Sequence, residues 1–258
     1  LQASGEWTWD VFVEICEKLT RDTDNDGVFD VYAIDSEPTD MIKQILISNN
    51  ARTVEIDENG KFYNGTKTPQ AIRALEWFDY FYDLPYDLAP TNYQGHQDLF
   101  RSGKVAMYYG NEGESKAFAE MSDDYGFVCF PKGPDAEHYV VGTNATAWVI
   151  PNTYTKEEAE NIAFVINIWM NDPPGYDGPD DWMAAKYPLF RDERAVEETL
   201  AIARLDTAQA MFDYRSVVFG VDVNQIANPV YYNEKTVAEA IEAVAPVYDA
   251  AIAKANGE

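Results

Sequence analysis

Apolar side chains recur at Trp9, Phe12, Val13, Ile15, Cys16 and Leu19, the one-sided spacing of a helix, and Thr8 stands where an N-cap belongs. A second short helix is expected over Met41–Ile47. Val54-Glu55-Ile56 and Lys61-Phe62-Tyr63 flank Asn59-Gly60, the dipeptide that favours a tight hairpin. Thr68-Pro69 opens a strong helix bearing Ile72, Leu75, Trp77, Phe78 and Phe81, because proline suits a first turn whose N–H groups have no partner. By spacing, Trp77, Phe78 and Phe81 are core, and neither this cluster nor Tyr231-Tyr232 is read as ligand surface.

Further on, a short helix around Gln97–Arg101 leads through Ser102-Gly103 to a strand over Val105–Tyr109. A helix over Ser115–Met121 and a strand over Tyr125–Phe130 follow, then strands at Tyr139–Val141 and Ala145–Ile150. Lys156–Asn171 is a long helix ended by Pro173-Pro174-Gly175, and the Pro, Gly and Asp positions up to Asp181 predict a loop. Ala195–Ala203 and Thr236–Ala253 complete the helices. Alternating helices and strands predict an α/β layered domain.

Directly behind the first helix, Asp22, Asp24, Asp26 and Asp30 alternate with other residues around Gly27. In a looped chain such carboxylates converge on one hard cation, with Val28 offering its carbonyl. The pattern matches most of an EF-hand loop, so a structural Ca2+ is expected here. The twelfth position is Ala33 rather than a bidentate Glu, which leaves the set one carboxylate short. The plainer alternative is a solvated Asp-rich turn into a strand over Val31–Ile34.

The chain has 258 residues, 46% of them hydrophobic, enough for a substantial core. With 45 acidic and 19 basic side chains its formal charge is -26, which repels phosphate backbones and anionic lipid heads and argues against nucleic-acid partners. Cys16 and Cys129 form neither a disulfide framework nor a metal motif and are read as small buried residues. His96 and His138, far apart in sequence, have no metal spacing; His96 is expected to cap a turn or face solvent.

Thr8-Trp9-Asp10-Val11-Phe12 before the Asp-rich turn, then Phe100-Arg101-Ser102-Gly103-Lys104-Val105-Ala106-Met107, Phe130-Pro131, Gly142-Thr143-Asn144 and Tyr187-Pro188-Leu189-Phe190-Arg191 come in an order that resembles bacterial extracellular solute-binding proteins of ABC importers. The likeness is to the maltose- and oligosaccharide-binding type and runs over nearly the whole chain. It implies a periplasmic-binding-protein-like (type II) lobe, a central mixed sheet flanked by helices. Relatives usually carry a signal and a first lobe before the Thr-Trp-Asp helix, so the resemblance implies a fragment. Residues 1–144 then belong to the second lobe, 145–191 to segments that pack on the first, and 192–258 to helices returning to the second. Without that partner the 156–171 helix is expected to expose an apolar face, which favours dimerisation or a rearranged packing.

In this family two lobes close on a sugar, which needs aromatic faces and planar hydrogen-bonding groups. With 17 Tyr, the chain is well supplied. By position, the resemblance points to Tyr109, Asn111 and Glu112 after the Val105 strand, to Gly142, Thr143 and Asn144, and to Trp182, Tyr187 and Arg191. Relatives often have an aromatic after the glycine where this chain has Asn111 and Glu112, so Tyr109 would take the stacking role. For each there is a packing or turn alternative, and for Arg191 an ion pair with Asp192 or Glu193.

No Gly-x-Ser-x-Gly elbow, phosphate loop or His-Glu-x-x-His is present, so no catalytic set is read. The expected function is non-catalytic capture of an extracellular solute, an oligosaccharide first, and its delivery to the membrane subunits of an ABC permease. A peptide or other polar solute is the alternative, and a glycoside hydrolase stands behind both. The family setting is periplasmic or extracellular, with a lipoprotein anchor.

Overall fold

The computed structural model describes residues 1–88, 93–142, 148–171, 174–176, 178–202, 209–211 and 213–258. Its first helix, α1 (Trp9–Leu19), starts where the Thr8 hydroxyl accepts from Val11 N–H, and it buries Trp9, Phe12 and Cys16. Strand β1 (Tyr32–Asp35) follows, then α2 (Pro38–Ser48), the hairpin β2 (Val54–Ile56) and β3 (Phe62–Asn64), and α3 (Pro69–Tyr82). Next come α4 (Tyr93–Arg101), β4 (Val105–Tyr108), a 3-10 turn over Glu112–Phe118, and β5 (Val140–Gly142). The last part contains α5 (Lys156–Met170), α6 (Trp182–Lys186), a π-helical turn over Ala195–Leu200, β6 (Gln209–Met211), α7 (Asn224–Tyr231) and α8 (Val237–Ala255).

Among the described residues the strands form three pairs, with no single wide sheet. β1 runs parallel to β4, β2 antiparallel to β3, and β5 parallel to β6. On its other side β1 is flanked by 86–88, where Leu88 N–H donates to Ile34 O at 3.0 Å. Around these pairs α1, α2, α3, α7 and α8 share one core, in which Leu75, Phe78, Phe81, Ile226 and Tyr248 are fully buried. Trp77 is sandwiched between Trp9 and Phe81, at centroid separations of 4.6 and 5.2 Å.

Three expectations are corrected. Residues 125–130 are not a strand: the backbone there is tied to the N-terminal segment, with Cys129 N–H donating to Gln2 Oε1 and Trp7 Nε1 to Cys129 O. The 115–121 helix is a 3-10 turn that starts and ends earlier. Of the 145–150 strand, residues 145–147 lie outside the described ones and 148–150 are irregular.

Helix α5 takes little part in core packing. None of its residues is buried, although Phe164, Val165, Ile168 and Trp169 are large and apolar. By contrast, 182–191 is tied to 112–124: Lys186 pairs with Glu112, and Arg191 donates to Asp123 O at 3.2 Å and Ala119 O at 3.2 Å.

Candidate functional site

Parallel strands expose their C-terminal ends together, and there a crevice can hold a ligand. Here β1 ends in Asp35-Ser36-Glu37 and β4 in Tyr108-Tyr109, with Tyr109 N–H donating to Asp35 O at 3.3 Å. Asp87 joins them from the flanking segment, accepting from Ser36 N–H at 3.1 Å and from Ser36 Oγ at 3.0 Å. Burial pushes the Asp87 carboxyl up to about 7, and neighbouring Asp35 and Glu37 push the same way while Ser36 opposes them. Asp35 is raised as well, by burial first, with His96 opposing and Glu37 adding to the shift.

Three hydroxyl and aromatic steps lead outward from this edge. Ser36 Oγ meets Tyr82 Oη at 2.8 Å, Tyr82 packs edge-on to Tyr231, and Tyr231 to Tyr232, which is 68% exposed. Glu37 caps α2, its Oε1 accepting from Thr39 Oγ1 at 2.9 Å, while its side chain stays 41% exposed. The rim thus offers the Glu37 carboxylate, with the exposed Tyr232 ring at the outer end of that path.

His96 corrects the expectation of a solvent-facing turn residue. It is buried on α4, with Nδ1 2.7 Å from Asp35 Oδ1 and Nε2 3.7 Å from Glu37 Oε2. Sequence could not show this, since Asp35 and His96 lie 61 positions apart. Glu37 and Tyr232 were likewise missed; the signal for Glu37 was a carboxylate between a strand and a Pro-initiated helix.

Of the residues expected from sequence, Tyr109 lies at this edge. Its ring packs edge-on to Phe130 at 5.9 Å, and burial raises its hydroxyl. Asn111 is an N-cap, accepting from Gly113 N–H at 2.9 Å in a capping box with Glu114. Glu112 is paired to Lys186. Gly142 ends β5, whereas Thr143 and Asn144 lie outside the described residues. Trp182 starts α6, and Tyr187 donates to Glu197 Oε1 at 3.0 Å. Arg191 does not pair with Asp192 or Glu193; it clamps the carbonyls of 119, 121 and 123 and reaches Asp124, while Asp192 pairs with Arg194.

A family model described as bacterial extracellular solute-binding protein matches residues 1–178. The chain belongs to this family. Among solved structures, an ABC substrate-binding protein of Listeria monocytogenes in complex with cycloalternan is 15% identical with a TM-score of 0.63, covering 98% of this chain and 64% of that one. A cyclo/maltodextrin-binding protein complexed with maltotetraose is 14% identical with a TM-score of 0.59, covering 95% and 64%. An ABC transporter solute-binding protein of Thermotoga lettingae bound with α-D-tagatose is 15% identical with a TM-score of 0.56, again covering 95% and 64%. At such identities the likeness shows the fold, and about a third of each neighbour has no counterpart in this chain. No protein of curated function matches the sequence at a significant level.

This member of the family carries a second polar site in the loop between α1 and β1. Arg21 and Val31 bridge the neck of the Asp loop, and Asn25 and Gly27 take left-handed φ of 63° and 91° inside it. Asp22, Asp24 and Asp30 each bring an oxygen within 4.8 Å of the others. Asp22 also accepts from Asn25 and Gly27 N–H, Asp24 from Asp26, Asp26 from Val28, and Asp30 from Thr23. The Thr23 hydrogen bonds hold the Asp30 carboxyl below its ordinary range. Ala33, at the twelfth position, is buried in β1 and offers no side-chain oxygen. The oxygen donors suit a hard cation, in an incomplete cage.

Proposed function

We propose that this chain grips a carbohydrate, an oligosaccharide first, as the receptor component of an ABC importer, without making or breaking a bond. The observation that carries the reading is the rim at the ends of β1 and β4. Glu37 stands partly exposed there, and Ser36, Tyr82 and Tyr231 lead stepwise to the exposed Tyr232 ring, so the edge offers the carboxylate and the aromatic face that a sugar's hydroxyls and apolar side require. The family supports the transport role, and the sugars named for the structural neighbours support the solute class. The receptor then hands its solute to the membrane permease, and a lipoprotein anchor would keep it at the cell surface. Isothermal titration of maltotetraose, cycloalternan and a peptide panel tests the class: micromolar binding of a saccharide that Glu37→Gln weakens about tenfold is expected. Peptide-only binding, or sugar hydrolysis seen by product analysis, overturns it.

On the same reading, the exposed face of α5 is the seat for the part of the fold that the neighbours have and this chain lacks; pairing of two copies through that face is the alternative. Asp22, Asp24, Asp26 and Asp30, with the Val28 carbonyl, would hold Ca2+ as a structural clip between α1 and β1. The ion would neutralise the crowded carboxylates there. A cation that binds only the folded form raises its melting temperature, so calcium should stabilise the chain against a chelator-treated sample. Coincident melts would leave the loop a hydrogen-bonded turn.

A further inference from the structure

Asp35 closes β1 with its carboxylate fully buried and its Oδ2 without a hydrogen-bond partner. Its Oδ1 meets His96 Nδ1 at 2.7 Å. This contact fixes the imidazole plane and turns Nε2 toward Glu37 Oε2, 3.7 Å away, an attraction when Nε2 carries a hydrogen. The other Glu37 oxygen is taken by Thr39, at 3.4 Å from its N–H and 2.9 Å from its hydroxyl. Glu37 is therefore divided between a helix cap and a buried ring while its side chain remains open to the rim. Burying a carboxylate and an imidazole costs several kcal/mol of desolvation that an apolar pair would avoid, so core packing alone is a poor reason for them.

We infer that His96 is a positioning residue: anchored by Asp35, it fixes the Glu37 carboxylate as an acceptor on the rim, and so favours solutes that present hydroxyl pairs or a cationic group there over solutes that present a carboxylate. The inference rests on the rim being the solute edge. The charges around it agree, since Asp35 and Asp87 are further carboxyl groups beside it and Lys43, on the helix that Glu37 caps, is paired to Asp40.

Two measurements on the chain itself test this. By NMR side-chain couplings, Glu37 should hold one rotamer in the wild type and average over several in His96→Gln, with or without any sugar. A Glu37 that keeps its single rotamer in that variant overturns the inference. Should His96→Gln fail to fold, Asp35→Asn, which preserves both volumes, carries the same readout. With maltotetraose as probe, His96→Gln should weaken binding about tenfold alone and not at all in a Glu37→Gln background. Equal losses in both backgrounds mean packing only and overturn it. If the wild-type chain binds no saccharide, the solute reading falls, while the Glu37 couplings still decide the positioning role.

Discussion

Asp87 illustrates how a single side chain couples the rim to pH. Its carboxyl titrates near 7 when folded and near 3.9 when unfolded, so the folded form binds the proton more tightly. That contribution to stability is complete below about pH 4 and is lost as pH rises through about 7. Asp87→Asn should flatten this part of the stability curve, which denaturant titrations at pH 5 and 8 will show. Gly133 makes a steric case: a Cβ there would lie 2.3 Å from Asn49 Oδ1 and 2.8 Å from the Trp9 ring. Gly133→Ala should therefore cost about 1–3 kcal/mol in denaturant unfolding. Little of this was legible in the sequence. Gly133 reads as a chain break beside Pro134, and His96 as a polar turn residue, because their partners are brought in only by the fold. Cys16 was legible: it lies on the apolar stripe of α1, and burial raises its thiol to about 12.

Among the elements, helices with a stripe and a cap were easiest to read. α1 matches its expected span, and α3 begins at the Pro69 that marked it, since capping hydroxyls and 3.6-residue spacing are local signals. Strands were harder. Residues 125–130 have strand-like composition but find the irregular N-terminal segment instead of a ladder, and the six short strands pair only two by two among the described residues. The same local signals give quantitative expectations. Thr236 accepts from Glu239 N–H in a full capping box on α8, so Thr236→Ala should lower stability by about 1 kcal/mol in thermal melts. Phe78→Ala in the core of α3 should cost about 3–5 kcal/mol.

For the whole molecule, the contrast between α3 and α5 is the main result. Both are amphipathic, yet among the described residues α3 buries its apolar face while α5 half-buries only Ala159, Ile162 and Ile166. Phe164 and Trp169 are 65% and 80% exposed, so replacing both with Ser should leave the unfolding free energy of this chain within about 0.5 kcal/mol. The same double substitution should abolish any dimer seen by light scattering, and a dimer that survives it must use another face. That α5 would expose apolar side chains was legible once the family order of motifs was recognised. The rim itself was only partly legible: position in the family order reached Tyr109, but the neighbours that make it an edge, Glu37 and Tyr232, come from distant parts of the chain.

The end of α8 latches onto the hairpin: Phe62 N–H donates to Asn256 Oδ1 and Asn256 Nδ2 to Phe62 O, both at 2.9 Å, and Lys61 holds Glu258 at 2.6 Å. Anything fused directly after Glu258 starts at a fastened joint and not at a free tail. Trimming as few as three residues should let β3 fray, and amide exchange at Phe62 would speed up first.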